Sequence, residues 1–260
     1  MAITLPPNEP VPGGIAVVRL ESHGTAMPAV KYEGNRVLVV RNQQDWYAIV
    51  GIPLETKPGN QLLQVSGMDS PLKFTVNGKQ YETQRITIKD KRKVEPNKED
   101  LQRINRESKR IDDALEHWSD QPPATLDFIM PVTGKLSSPF GLRRFFNNLP
   151  RKPHSGVDIA VPQGTPVKAP LAGDIIETGN FFFNGNSIFI EHGQGLVTMY
   201  CHLDTIKVKK GQHVGQGEII GTSGMTGRAT GPHLHWGISL NNARIDPLIF
   251  LSQQTSQLHE

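Results

Sequence analysis

Two short clusters of metal-competent side chains lie far apart in this sequence, and any fold it adopts has to bring them together. One is His154-Ser155-Gly156-Val157-Asp158. The other is His233-Leu234-His235, inside Gly231-Pro232-His233-Leu234-His235-Trp236-Gly237. His202, in Met199-Tyr200-Cys201-His202-Leu203, lies between them. Imidazole nitrogens and carboxylate oxygens sit about 2.0–2.2 Å from a zinc ion, so the ligating atoms must converge on one point. In a His-x-His strand both imidazoles leave the same face, because side chains alternate, and Leu234 then points into the core. On a flat strand His154 and Asp158 would stand roughly 13 Å apart. The chain must therefore bend between them, and Gly156 is placed to allow it. A helix would also bring residues four apart onto one face. Gly156, Val157 and the following Ile159-Ala160-Val161-Pro162 argue against a helix here.

A catalytic zinc keeps three protein ligands and one position for water. Four candidates, His154, Asp158, His233 and His235, compete for those three places, and spacing alone does not choose among them. Both His233 and His235 could ligate, or one could bind metal while the other acts on water and substrate. A divalent ion at such a site would lower the pKa of its water toward about 7 and polarise a scissile carbonyl. An imidazole outside the ligand set could take the proton or stabilise the developing oxyanion.

Composition sets the frame around these clusters. A chain of 260 residues suits two domains. With 25 Gly, 20 Pro and 37% hydrophobic residues, it reads as mainly β, built of short strands and many turns. The 28 basic and 25 acidic residues nearly balance at +3, which gives no nucleic-acid footprint. Cys201 is the single cysteine, so no intrachain disulfide can form. A disulfide-free chain is compatible with either side of a membrane. No apolar run reaches membrane-spanning length. The opening Met1-Ala2-Ile3-Thr4-Leu5-Pro6-Pro7 lacks the charged and apolar regions of a signal peptide.

Residues 1–95 read as an N-terminal β-domain, a sandwich of Ig-like character. Ile15-Ala16-Val17-Val18, Val37-Leu38-Val39-Val40 and Trp46-Tyr47-Ala48-Ile49-Val50 are β-branched or aromatic runs bounded by turn residues. Asn77-Gly78 is a strong hairpin signal, and Tyr81, Thr83 and Arg85 alternate before Ile86-Thr87-Ile88. Residues 96–123 read as a helical connector that leans on a neighbour. Asn97 is its N-cap, Leu101, Ile104, Ser108, Ile111, Leu115 and Trp118 form one stripe, and Gln121-Pro122-Pro123 stops it. Residues 124–260 return to strand and turn. Gly164-Thr165-Pro166-Val167 leading to Gly173-Asp174-Ile175-Ile176 is echoed by Gly211-Gln212-His213-Val214 leading to Gly217-Glu218-Ile219-Ile220. The echo suggests two related β-units closing one sandwich or barrel.

The ordered motifs of this last part run from Ser138-Pro139-Phe140-Gly141-Leu142-Arg143 through His154-Ser155-Gly156-Val157-Asp158 and Tyr200-Cys201-His202-Leu203. They continue to Thr226-Gly227-Arg228-Ala229-Thr230-Gly231-Pro232-His233-Leu234-His235-Trp236 and Asp246-Pro247. Together they cover almost all of residues 131 to 251. This run resembles the M23 peptidases, the LytM/lysostaphin-type zinc endopeptidases that cut peptides of bacterial peptidoglycan. The resemblance implies a LytM-type β-sandwich with a groove, a duplicated hybrid motif. It implies Zn2+ held by His154, Asp158 and His235, with His202 and His233 as the catalytic pair. It also implies a peptidoglycan peptide as substrate and a place outside the cytoplasm, periplasmic or wall-associated, with a signal segment removed from the chain. All five expected positions are filled, which counts against the alternative, a non-catalytic LytM-type regulator or wall-binding protein. The N-terminal domain carries no catalytic cluster and could contact a regulatory partner.

Some residues depart from the family pattern. Cys201 stands where a small residue is usual, and reads as a small buried hydrophobe rather than a redox switch. The segment from Arg143 to Pro153 is expected to wall the groove. Asn147 or Asn148 within it is a candidate to fill the open metal position, as upstream segments do in latent members of the family, although loop Asn residues ordinarily serve turns. His192 is expected to support a turn, and His213 to sit on a solvent-facing hairpin.

Overall fold

A computed structural model describes residues 3–20, 26–89 and 91–251. The N-terminal strands are β1 (Ile15–Leu20), β2 (Val30–Tyr32), β3 (Asn35–Arg36), β4 (Leu38–Asn42), β5 (Asp45–Gly51), β6 (Gly59–Val65), β7 (Leu72–Val76) and β8 (Thr83–Ile86). The first seven form a three-stranded sheet ordered β1-β5-β4 and a four-stranded sheet ordered β3-β2-β6-β7. Ala16, Val39, Ala48 and Val50 from the first meet Tyr32, Leu63, Val65 and Val76 from the second in one buried layer. The β-branched runs of the sequence thus fold as expected, as a small two-layer unit. The opposite face of the first sheet does not meet solvent. Ile15, Leu38, Val40 and Ile49 belong to the large core of the C-terminal half. Asn241 stitches the halves together, its side chain accepting from the Gly51 amide (2.6 Å) and donating to the Gly51 carbonyl (2.9 Å).

The expected Asn77-Gly78 hairpin does not form. β7 already has its antiparallel partner in β6, and the chain after Val76 leaves the N-terminal unit. It becomes β8, which pairs in parallel with a strand of the C-terminal half.

Helix α1 (Lys98–Leu115) starts where Asn97 caps it, the side chain accepting from the Asp100 amide at 2.8 Å. It ends earlier than the Gln121-Pro122-Pro123 stop signal. Past Glu116 the chain is drawn into tertiary contacts instead: Trp118 stacks under Arg36, and the Ser119 hydroxyl donates to the buried Glu191 carboxylate. The buried face also differs from the apolar stripe. Leu101 and Ser108 are exposed, whereas Asp100, Glu107, Ala114 and Leu115 are buried. Glu107 accounts for the difference, accepting from the Phe182 amide (2.6 Å) and from Arg103. The connector therefore leans on the C-terminal half through charged and polar contacts as much as through apolar ones.

The C-terminal strands are β9 (Lys135–Ser138), β10 (Arg143–Phe146), β11 (Leu149–Pro150), β12 (Val157–Ala160), β13 (Pro166–Lys168), β14 (Gly173–Phe181), β15 (Gly185–Glu191), β16 (Val197–Ile206), β17 (His213–Val214), β18 (Ile219–Ser223), β19 (His233–Leu240) and β20 (Ala243–Ile245). All but β10 and β11 join one ten-stranded sheet whose main path is β17-β14-β15-β16-β19-β12-β9. The internal echo closes reciprocally. The first strand of one unit, β13, pairs with the second strand of the other, β18, while β17 pairs with β14. Trp236, Leu234, Ile238, Tyr200, Val157 and Ile159 fill the core on one side of the sheet. The other side carries α1 and, further along, the metal-competent side chains.

Candidate metal centre

Strand register brings the distant clusters together. β12 runs antiparallel to β19 with Asp158 directly opposite His235 and Ala160 opposite His233. Alternation puts His233 and His235 on one face and sends Leu234 into the core, where it is fully buried. The chain bends at Gly156 before β12 begins, as the spacing requires. A Cβ at Gly156 would overlap the Trp236 carbonyl and approach the His235 ring to 2.9 Å, so the backbone here lies flat against a ligand side chain.

Three atoms converge. His154 Nε2 lies 3.0 Å from Asp158 Oδ1 and 3.0 Å from His235 Nδ1, and His235 Nδ1 lies 2.8 Å from Asp158 Oδ1. The His154 Nδ1–H donates to the Pro139 carbonyl at 2.8 Å, which leaves the Nε2 lone pair aimed at the carboxylate. Burial pushes His154 down to about 4, so the ring is neutral and this tautomer persists. Lone pairs from an imidazole and a carboxylate facing each other at this distance repel unless a cation lies among them. A tetrahedral ion with bonds of about 2.0–2.2 Å holds neighbouring ligand atoms only slightly further apart than this. The donor set of two imidazoles and one carboxylate therefore fits a divalent metal, and these three are the residues that could hold it.

Asp158 is nearly buried, and burial alone would raise its pKa. Its contacts with His154 and His235 outweigh that and hold the carboxyl well below the usual carboxylate range. Its outer oxygen, Oδ2, accepts from Arg144 at 2.8 Å, and the same guanidinium donates to Ser138 Oγ (3.0 Å) and to Gln84 Oε1 (3.2 Å). Gln84 belongs to β8, so the segment that follows the N-terminal sheets reaches the support of a metal ligand directly.

His202 arrives by a different device. In a regular strand it would follow Tyr200 into the core, two residues on. Instead the pairing of β15 with β16 shifts register there, and His202 adopts φ +62°. This is a bulge with a non-glycine residue in the left-handed region, costing on the order of 1–3 kcal/mol. Its amide is secured to the Asn184 carbonyl (2.8 Å), and Leu203 resumes the core face. The turned ring lies 4.7 Å, centroid to centroid, from His233. His202 Nδ1 donates to the Thr226 carbonyl and His233 Nδ1 to the Gly231 carbonyl, both at 2.8 Å. His233 Nε2 stands 3.9 Å from Asp158 Oδ1. Burial, with His233 and His235 nearby, pushes His202 down to about 3, so it is neutral.

Residues 152–247 match peptidase family M23, and residues 8–79 match the peptidase family M23 N-terminal domain. A crystal structure from Pseudomonas aeruginosa, assigned to peptidase M23, is 46% identical with a TM-score of 0.80 and covers 94% of this chain and 96% of that one. The chain belongs to peptidase family M23. Among curated relatives of this M23 chain, the peptidoglycan DD-endopeptidase ShyA of Vibrio cholerae is 43% identical over 121 residues. The DD-carboxypeptidase/endopeptidase Mpg of Neisseria gonorrhoeae is 41% identical over 117 residues. Each match covers 45% of this chain, but only 28% and 27% of those proteins.

Arg144 escaped the sequence reading, which singled out Arg143 in the Phe-Gly-x-Arg turn. Arg143 is exposed, its amide bonded to the Glu82 carbonyl. Strand alternation was the available signal: only Arg144 can share a face with the buried Phe146. Asn147 does not approach the metal-competent atoms. It bonds the Ile88 backbone in both directions, accepting from the amide (2.9 Å) and donating to the carbonyl (3.1 Å). With Asn148 it forms the tight β10–β11 turn, both residues at positive φ. Cys201 is a buried apolar neighbour of Phe189 and Met199, its thiol pushed up to about 12 by burial. His192 is buried between the Ala172 carbonyl and the Thr198 hydroxyl, and His213 is exposed beside Asp174.

Proposed function

We propose that this chain is a zinc-dependent endopeptidase that hydrolyses peptide bonds in peptidoglycan stem or cross-bridge peptides. The observation that carries the reading is one face of β12, β16 and β19. There the three metal-competent atoms of His154, Asp158 and His235 meet, with His202 and His233 beside them. Zinc held by those three supplies Lewis acidity and an acidified water. His202 and His233 face that place, one to take a proton from the attacking water as its base, the other to donate an N–H to the developing oxyanion. The carbonyls of Thr226 and Gly231 accept from Nδ1 of each ring and so keep both rings oriented. Arg144 holds the outer oxygen of Asp158 and leaves Oδ1 for the metal.

The peptidoglycan relatives support the substrate class, and a wall substrate places the work outside the cytoplasm, in the periplasm or at the wall. Among the described residues no helix is long and apolar enough to cross a membrane. We assign residues 1–95 to an N-terminal unit, 96–123 to the connector and 124–260 to the catalytic unit. A regulatory partner acting through the N-terminal unit would reach the site by β8. The test is digestion of purified sacculi by the zinc-loaded chain, with products read by mass spectrometry. Peptide release that stops with chelator and with His202→Ala, while His202→Ala still binds zinc, is expected. A fully zinc-loaded chain that releases nothing from sacculi of several wall types would overturn the reading in favour of a non-catalytic role.

A further inference from the structure

The β10–β11 hairpin and the loop after β18 gather three arginines beside the metal centre. Arg144 and Arg151 are cross-strand neighbours, the Arg151 amide donating to the Arg144 carbonyl at 2.9 Å, so their side chains share a face. Arg228 joins that face by stacking its guanidinium on Phe146 (4.7 Å) and Phe183 (4.2 Å). Arg144 touches the Asp158 carboxylate, and Arg228 follows by two residues the Thr226 carbonyl that orients His202. The cluster therefore meets the metal centre through Arg144.

The charges of Arg151 and Arg228 are not balanced locally. Arg151 donates from its side chain to the Val94 carbonyl (2.7 Å), and Arg228 to the Lys93 carbonyl (3.2 Å). Among the described residues no carboxylate pairs with either. Like charges directly opposite on a sheet destabilise it, and a largely buried cation without a counter-charge is costly. Burial, with Arg151 and Arg144 nearby, pushes the Arg228 pKa down to about 10. A planar guanidinium that holds no carboxylate, such as Arg228 stacked on Phe146 and Phe183, is the usual means of taking one.

We infer that Arg151 and Arg228, in the field of Arg144, form a subsite for a free carboxylate on the peptide being cut. The inference rests on the endopeptidase reading and adds what selects the peptide: an acidic stem is preferred over one whose carboxylates are amidated.

The experiment compares a soluble cross-linked stem-peptide dimer bearing free carboxylates with the same dimer amidated, using wild type, Arg151→Gln, Arg228→Gln and Arg228→Lys. Each Gln variant should raise KM for the free-carboxylate dimer by about tenfold or more, the loss expected for a charge-assisted hydrogen bond. The amidated dimer should lose far less, and Arg228→Lys should fall between wild type and Arg228→Gln. Equal losses on both dimers, or none on either, would overturn the subsite. A second measurement does not depend on cleavage: calorimetric binding of the free stem tetrapeptide, which holds no cross-link to cut. Binding should weaken with added salt and in both Gln variants, but not when the tetrapeptide is amidated. Identical affinity for both tetrapeptides would overturn the subsite even in an active enzyme. Wild type that cuts neither dimer yet still prefers the acidic tetrapeptide would sink the endopeptidase reading and spare the subsite.

Discussion

His202 offers a test in which the backbone, rather than the imidazole, is the quantity measured. Its φ of +62° puts a residue with a Cβ where glycine is at home. Replacement by Ala and by Gly removes the ring and its bond to the Thr226 carbonyl equally, so the difference between the two variants isolates the backbone. Ala keeps the left-handed penalty of roughly 1–2 kcal/mol. Gly relieves it but loses roughly 0.5–1 kcal/mol of conformational entropy. His202→Gly should therefore be the more stable by about 0.5–1 kcal/mol, a Tm advantage of about 1–4 °C for a chain of this size. At an ordinary strand position the order would be reversed. Calorimetry on both variants with matched zinc content reads the difference. Both should bind zinc like wild type and lose activity by about 100- to 10,000-fold, the contribution of general acid–base groups. An Ala variant as stable as the Gly variant would refute the strained bulge, and loss of zinc in either would refute the ligand assignment.

The support of Asp158 predicts that Arg144→Met lowers zinc affinity by about 10- to 100-fold in a chelator competition, with Gln84→Ala showing a smaller loss of the same sign. Gly156→Ala should destabilise the chain by about 1–3 kcal/mol in urea and weaken zinc binding, because the new methyl meets the Trp236 carbonyl and the His235 ring. Burial pushes His192 down from 6.5 to about 4, so the unfolded chain takes up that proton first. The stability it contributes is present above about pH 6.5 and lost as pH falls toward 4, and His192→Gln should flatten that part of a urea-midpoint profile. Cys201, with its thiol raised to about 12, should resist iodoacetamide in the folded chain and react fully in denaturant.

The mainly β architecture was legible in the β-branched runs and turn residues, and period two put His233 and His235 on one face, whereas the grouping of His235 with His154 and Asp158 came from the resemblance to the M23 peptidases. The reciprocal pairing of β13 with β18 and β14 with β17 was legible in outline as an internal echo. The placement of His202 was not, since nothing in Tyr200-Cys201-His202-Leu203 announces that the strand gains a residue there. The bulge is fixed by the Asn184 carbonyl, a tertiary partner. Asn77-Gly78 misled for a similar reason: a local turn preference gave way to a longer-range pairing of β8 with β10. The connector's inward face was obscured because Glu107 and Asp100 are buried by bonds to Phe182 and Arg92, and an apolar stripe cannot register buried carboxylates that are fully paired.

Parallel pairing of Thr83–Ile86 with Arg143–Phe146 means that the two halves of this chain are not interchangeable parts. Grafting residues 124–260 alone onto another carrier would leave β10 with a bare row of amides and carbonyls, open to association with other copies. It would also free Arg144 from Gln84 and slacken a metal ligand from a distance. An engineer wishing to shorten this protein would have to carry that one borrowed strand along.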